Sequence, residues 1–583
     1  MPSPALPRPA RRVWIEAFLV SVVCFIAYLS LIGRPAYNTN DDIGMDMIAA
    51  GVWTDPAGSP LLVFIHPLYG WVLSGLYRLA PAHGWHGTLL LLIASLSLMG
   101  WLASILRMRG DGLLRALLWI AAAVATGLLL SNLQFTLVAA FACIGGVTLW
   151  CSILIQRADE TRWSRFEASF ATVLLAAGAM LRLESAWMVW GLSIPLLCGV
   201  FWLLRSSWRR PRLFIAASAA GLFLTQTSAE LCYRSESWQQ WKQLNHAKSE
   251  ILDTKRVKWD ESLFAKHGFD ANDFNMLFTW QYLDAERISP AKPAAVVQEA
   301  LSRNSSEAKP PAVQRPLARF FAKVVEYMQL HPLYWLLVAA WLVSAAWSRR
   351  RVAVSVLTFA SAFALLYYLD VVVNRLPVRV MAGVVLSALA AQFFISSLAP
   401  QPTEHTPTKR ASLWSGALAM LLALYPLHAF YLYCVQWTGQ VQERERKLDA
   451  MLQTWSQHLP ADAIVYSPAG AIDVRDISPL RSTKDLPLRR VLSAGWLNQS
   501  PLLDAQLATL GLDPKAVFPS LARQPAVYLA GKTNKEEMLF IMRTLKQAYR
   551  ERYHLTLSYQ PAENLPGLLK LVFTPITDAA PAK

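Results

Sequence analysis

The sequence predicts an α-helical polytopic membrane protein with about eleven transmembrane helices and a C-terminal extracytoplasmic α/β domain. Three observations carry this. The 583 residues are 54% hydrophobic and only 16% charged, whereas a soluble chain carries about a quarter charged residues. The chain has a mean hydropathy of +0.31, and its apolar residues gather in runs of roughly 18 to 22, enough to cross a hydrocarbon core of about 30 Å. Arginines fall in short hinges between those runs, where topology signals belong.

The N-terminus has Arg8, Arg11 and Arg12 ahead of an apolar stretch from Val13 to Ile32. Signal peptides have apolar cores of about 7 to 15 residues and a small-residue cleavage site. This longer stretch runs into Gly33-Arg34-Pro35 and is expected to remain as a first span. Further runs lie near 87–106, 113–131, 134–155, 167–181, 185–204, 212–229, 327–347, 351–372, 377–398 and 411–436, with an ambiguous one at 61–79.

Successive spans alternate direction, so the basic hinges test the count. With the N-terminus cytoplasmic and 61–79 not crossing, Arg107, Arg109 and Arg115 fall inside. So do Arg157, Arg162 and Arg165, then Arg205, Arg209, Arg210 and Arg212, then Arg349 to Arg351, and finally Lys409 and Arg410. If 61–79 crossed, every later cluster would lie outside. The segment 61–79, with His66-Pro67 near its start and Tyr69, Trp71 and Tyr77 within it, is therefore expected as an interfacial helix.

The chain then divides into four parts. Residues 1–230 form an N-terminal membrane region with a first extracytoplasmic loop at 33–86. Residues 231–326 form a mainly helical loop domain, in which Trp238, Trp241, Leu244 and Ala247 recur at helical spacing and 289–316 reads as a Pro/Ser-rich loop. Residues 327–436 hold the last spans. Residues 437–583 form the α/β domain, with short strands at Ala463–Tyr466 and Ala526–Leu529, a helix over Asn534–Tyr553, and extended segments at His554–Tyr559 and Leu568–Phe573.

The net charge of +16 does not imply nucleic acid, because the basic residues form no single face. Cys24, Cys143, Cys151, Cys198 and Cys434 lie in apolar runs and Cys232 just past one, with no metal-ligand spacing and no disulfide framework expected.

Chemistry is most concentrated in the first loop, at Asn38-Thr39-Asn40-Asp41-Asp42, directly before a short helical stretch from Ile43 to Val52. Asn and Asp commonly cap helix N-termini, which accounts for one acid. Two adjacent acids, with Asp46 a turn later beside a membrane, ask for more. Arg182 and Glu184 fall at the external end between two spans. The external hinge Asn374-Arg375-Leu376-Pro377-Val378-Arg379 carries two arginines against the charge bias seen elsewhere. Charge set against the topology rule tends to be functional, and the arginine fork suits phosphate. A structural ion pair, Arg182 with Glu184 or Asp370, is the alternative. His66 also suits a turn or a packed position. His267, Asp270 and Asp273 suit a solvated helical face better than a metal site, and Trp238, Trp241 and Trp280 are candidates for stacking on sugars.

A cytoplasmic N-terminus, a first span, an acidic pair opening a short helix in the first external loop, and a surface helix entered through His66-Pro67-Leu68-Tyr69 resemble the GT-C superfamily of membrane glycosyltransferases. The resemblance covers the plan of the whole chain. It implies hexosyl or pentosyl transfer from a polyprenyl-phosphate-linked sugar donor to a glycan, lipid or protein acceptor on the extracytoplasmic face of the bacterial inner membrane. A phosphate leaving group needs no strong general acid, so one carboxylate to take the acceptor proton and cations to hold the phosphate suffice. The resemblance puts Asp41 or Asp42 as base, leaning to Asp42, with Arg182, Glu184, Arg375, Arg379 and His66 toward the substrate. It also leaves room for a divalent metal, Mg or Mn, at Asp41 and Asp42. The competing expectations are a transporter, flippase or polymerase of envelope glycans, and a non-catalytic envelope assembly protein.

Overall fold

The computed structural model describes residues 10–108, 112–156, 162–204, 209–307, 314–330, 336–339, 349–397, 409–532 and 534–576. A long first helix, α1 (Ala10–Leu31), is followed by two short ones, α2 (Asn40–Ala50) and α3 (Pro67–Leu79). Six long helices come next: α4 (Trp85–Met108), α5 (Gly112–Ser131), α6 (Phe135–Gln156), α7 (Arg162–Leu181), α8 (Leu183–Leu204) and α9 (Arg209–Cys232). Among the described residues seven helices are long and apolar enough to cross a membrane: α1, α4, α5, α6 and three in the segments 351–372, 378–397 and 417–458. The chain is a multi-pass membrane protein. The expected span at 327–347 lies mostly outside the described residues, as do Arg109, Arg157 and Arg205.

The helices α7, α8 and α9, of 20, 22 and 24 residues, are as long as the others. At one end of the bundle Trp14 of α1 donates to Glu167 of α7 at 2.9 Å, and Glu167 pairs with Arg107 at the end of α4. At the other end the chain after α1 pairs with the end of α5 (Ala36 N to Leu130 O, 2.9 Å), and the segment before α3 meets the end of α7 (His66 N to Met180 O, 2.8 Å). The helix directions alternate accordingly. Close approach of α6 and α7 depends on small residues: a Cβ added at Gly178 would lie 2.4 Å from Cys143 Sγ and 2.7 Å from Ala139 O.

Helix α3 has 13 residues, a length of about 20 Å, too short to cross. Leu68, Trp71, Val72 and Leu79 are exposed along one face, while Tyr69, Leu73 and Tyr77 are buried against the protein on the other. This is the pattern of a helix lying in an interface.

After α9 the chain forms α10 (Glu236–Lys248), which runs into a π-helical turn at Ser249–Asp253, then α11 (Glu261–Lys266), α12 (Ala271–Phe278), α13 (Ala291–Glu307) and α14 (Gln314–Leu330). The segment 289–316, expected as a loop, thus contains a helix. Pro290 and Pro293 stand before and within the first turn of α13, where no intrahelical N–H bond is lost, and Val296, Val297 and Ala300 are buried on one face. A second π-helical turn, Tyr368–Val372, ends α15 (Arg349–Tyr367) just before the 374–379 hinge and α16 (Val378–Ser397).

The 50-residue α17 (Lys409–His458) continues through residue 437 into the C-terminal domain. That domain holds a five-stranded sheet in the order β2-β1-β3-β5-β4. Strands β1 (Ile464–Ser467), β2 (Val491–Ser493) and β3 (Val527–Ala530) are parallel, with Val465 opposite Val491 and Tyr528. Strands β4 (Leu555–Pro561) and β5 (Leu568–Pro575) form an antiparallel hairpin on the β3 edge. Every residue of β1 and β3 is buried, as parallel strands covered on both faces require.

Candidate active site

The acidic helix α2 lies almost wholly inside the protein, and its three carboxylates have different fates. Asp42 is 0% exposed. Its Oδ1 accepts from the backbone N–H of Phe135 at 2.7 Å and its Oδ2 from Thr39 Oγ1 at 2.9 Å. Phe135 is the first residue of α6, so Asp42 caps a spanning helix from another segment. Burial pushes its pKa up to about 8, against the pull of these two hydrogen bonds. Asp46 accepts from Tyr77 Oη in α3 and from Thr483 Oγ1 of the C-terminal domain at 2.9 Å. It knits three segments together.

Asp41 points the other way. Its side chain is 26% exposed, and Arg379 Nη1 lies 3.9 Å from its Oδ2. Burial raises its carboxyl above the usual carboxylate range, while Arg379, Arg182, Lys248 and Arg375 pull it part of the way back. The adjacent acids thus divide: one is spent on a helix cap and one faces four cations.

Those cations come from three parts of the chain. Arg379 and Arg375 belong to the hinge, which is docked on the segment after α10: Asn374, at φ +56°, donates to Thr254 O at 2.6 Å, and Arg256 Nη2 donates to Val372 O at 3.0 Å. Both π-helical turns therefore meet here, an irregularity common at functional sites. Arg375 Nη1 is 3.2 Å from Asp253 Oδ2. Lys248, only 3% exposed, bonds Asn245 Oδ1 at 2.7 Å and lies 4.2 Å from the Trp280 ring centroid. Burial pushes its ammonium down to about 8, against the pull of Asp253 and Asp41.

Arg182, between α7 and α8, bonds Glu184 at 2.9 Å, and Glu184 is 71% exposed. The guanidinium lies 5.5 Å from the Phe64 ring and 5.8 Å from that of Phe135. Phe64 is aimed by a tight turn in which Val63 takes φ +69° and Phe64 N donates to Leu62 O at 2.8 Å. A β-branched residue in that region is strained; the turn is held by Tyr233 Oη, which accepts from Val63 N at 3.0 Å. Trp496 of the C-terminal domain packs 5.0 Å from Phe64. A cavity of about 240 Å³ lies between α6, α7, α8 and α9, lined by Trp150, Ala179, Ala186, Trp190, Phe214 and Thr225 among others. Two of its lining residues, Ala179 and Ala186, stand three residues before and four after Arg182 in the chain.

Arg182, Arg375 and Arg379 are thus brought together around Asp41, while Asp42 and His66 stand aside. His66 Nδ1 accepts from Leu68 N at 3.1 Å as the cap of α3, and Nε2 bonds Ser228 at 3.0 Å. Trp238 and Trp241 are buried in the loop domain. Asp273, expected on a solvated face, is 1% exposed and pairs with Arg287 at 2.5 Å and Arg552 at 3.2 Å; His267 bonds Glu299. Lys248 and Asp253 were missed from sequence. The available signal was a lysine on the apolar stripe of α10, seven residues after Trp241 and four after Leu244.

The donor set does not suit a divalent cation at Asp41 and Asp42. Both oxygens of Asp42 are engaged, and Asp41 is ringed by positive charge. Among the described residues no group of three His, Cys, Asp or Glu side chains is placed to hold a metal.

No family model matches the chain, and no curated protein matches it. Among solved structures it is similar to ArnT from Cupriavidus metallidurans, crystallised bound to undecaprenyl phosphate. The TM-score is 0.42 at 13% identity, covering 96% of this chain and 97% of that one. At that level of superposition no residue role passes from one chain to the other.

Proposed function

We propose that the protein is a GT-C-like membrane glycosyltransferase that moves a sugar from a polyprenyl-phosphate donor to a hydroxyl acceptor. The observation that carries this is the placement of one available carboxylate, Asp41, among Arg182, Lys248, Arg375 and Arg379; an apolar cavity of about 240 Å³ among the spans is lined by Ala179 and Ala186, close in the chain to Arg182. The cations suit a lipid-borne phosphate, and the cavity suits part of its hydrocarbon chain.

In this scheme the acceptor hydroxyl attacks the anomeric carbon and gives its proton to Asp41. The bond from that carbon to the phosphate oxygen breaks, and the oxygen keeps the electron pair. The charge that develops there is met by cations already in place, which need no reorganisation during the reaction. Asp41 is preferred to Asp42 because Asp42 is fully buried and both its oxygens already accept hydrogen bonds, from Phe135 N–H and Thr39 Oγ1. No divalent metal is assigned to this step. The arginine parity supports an inner-membrane protein with a cytoplasmic N-terminus, and hence a site on the extracytoplasmic face. A glycan, a lipid or a protein bearing a hydroxyl satisfies the acceptor's chemistry.

The test is Asp41→Asn expressed in cells lacking the native copy, with surface glycan analysed by mass spectrometry. Loss of one sugar from the glycan is expected. Unchanged glycan from a folded, normally expressed variant would remove the catalytic assignment.

A further inference from the structure

Of the four cations around Asp41, Arg375 is held by a different carboxylate. Its Nη1 lies 3.2 Å from Asp253 Oδ2 and donates to Ser249 Oγ at 3.4 Å. Both partners stand on the π-helical turn Ser249–Asp253. We propose that Asp253 is an internal stand-in for the donor phosphate, holding Arg375 in the empty site and releasing it when the phosphate enters. The proposal rests on the phosphate assignment made above.

Charge balance supports it. Arg182, Lys248, Arg375 and Arg379 are opposed by Asp41 and Asp253, with Glu184 mostly in solvent. Without Asp253, four neighbouring cations would face Asp41 almost alone, and like charges at short range are costly. The donor's phosphodiester brings one negative charge and the polyprenyl phosphate left after transfer up to two, so Asp253 then becomes the repelling neighbour. The other acid of the turn is not free to substitute: Glu250 Oε2 takes bonds from Thr254 at 3.3 Å and Arg256 at 3.5 Å.

The geometry allows exchange without moving the backbone. Arg375 N donates to Leu369 O at 3.0 Å, and Asn374 and Arg256 pin the hinge on either side. Only the guanidinium has to swing. The Arg375 and Asp253 side chains are 43% and 25% exposed, and a pair that meets solvent to this extent is weak. An arginine fork on a phosphate makes two parallel charge-assisted bonds and is stronger. Asp253 is thus a positioning residue that keeps Arg375 pointed at the site and limits how tightly the polyprenyl phosphate product is retained.

The experiment uses the full chain in nanodiscs with undecaprenyl phosphate as probe, binding being measured by native mass spectrometry. Asp253→Asn is expected to tighten binding roughly threefold to tenfold and to slow turnover through late product release. Asp253→Ser serves as a second variant with the same expectation. In the double variant Asp253→Asn with Arg375→Ala the tightening should vanish, as a coupled pair requires. Unchanged or weaker binding in both single variants, with Arg379→Ala still weakening it, overturns the role of Asp253 alone. If neither Arg375→Ala nor Arg379→Ala alters binding, the phosphate assignment itself falls.

Discussion

Two adjacent aspartates separate because a helix turns each residue by about 100° from the last. Asp42 points into the protein and meets the N-terminus of α6; Asp41 points to the hinge. The two are expected to fail differently. Asp41→Asn should lower transfer by about 10²- to 10⁴-fold, the usual contribution of a positioned base, with the unfolding midpoint unchanged. Asp42→Ala should leave the Phe135 N–H buried without a partner and cost about 1–3 kcal/mol of stability, read by thermal unfolding in detergent. Asp41 must be ionised, so kcat/KM for the donor should rise with pH through a pKa above the usual carboxylate range. Lys248 must be protonated, so the rate should fall as pH passes about 8. Lys248→Arg keeps its charge at any working pH and should move the alkaline limb upward. An unmoved limb in the pH–rate profile would detach Lys248 from the phosphate.

At the scale of elements, α2 is positioned by contacts with partners distant in the chain. Arg475 N donates to Asn40 Oδ1 at 3.0 Å, a Cβ at Gly44 would lie 3.1 Å from Trp496, and Thr483 bonds Asp46. The C-terminal domain therefore holds α2 at its start and through its middle. A further close contact seats that domain on the bundle: at Gly87 in α4 a Cβ would lie 2.1 Å from Pro479 O. Thr483→Val should cost about 1–2 kcal/mol in stability and lower kcat more than it raises KM, with Thr483→Ser restoring both. Within the membrane, Gly178→Leu should push α6 and α7 apart and cost about 1–3 kcal/mol, seen as a lower unfolding midpoint.

Across the whole molecule the polar segments gather at one end. The first loop, the 231–326 segment, the 374–379 hinge and the C-terminal domain are joined by direct hydrogen bonds, such as Asn498 Nδ2 to Trp280 O at 2.8 Å. They must lie on one side of the membrane, whichever side that is. Cys232, at the end of α9, is exposed while Cys143, Cys151 and Cys434 are buried. If that end is extracytoplasmic, a membrane-impermeant maleimide added to intact spheroplasts should label Cys232. Labelling only after lysis would reverse the orientation.

Spans and short strands are local patterns of apolar residues, long enough or regular enough to be legible without knowing their neighbours. The sequence by itself therefore determined a multi-pass helical protein, a non-crossing helix within 61–79 and an α/β domain after residue 437. It also marked Asp41, Asp42, Arg182, Arg375 and Arg379 as charges in costly places. Which acid is available, and which cations stand near it, depends on contacts between residues as far apart as Asp41 and Arg379 or Asp46 and Thr483. Lys248 and Asp253 were illegible for the same reason: a lysine on an apolar stripe acquires its meaning only when the hinge is docked against it. The acidic pair was visible in the sequence, but only the tertiary structure decided that Asp42 is a cap and Asp41 faces the cations, because burial and charge at a site are sums over neighbours that the chain order does not contain.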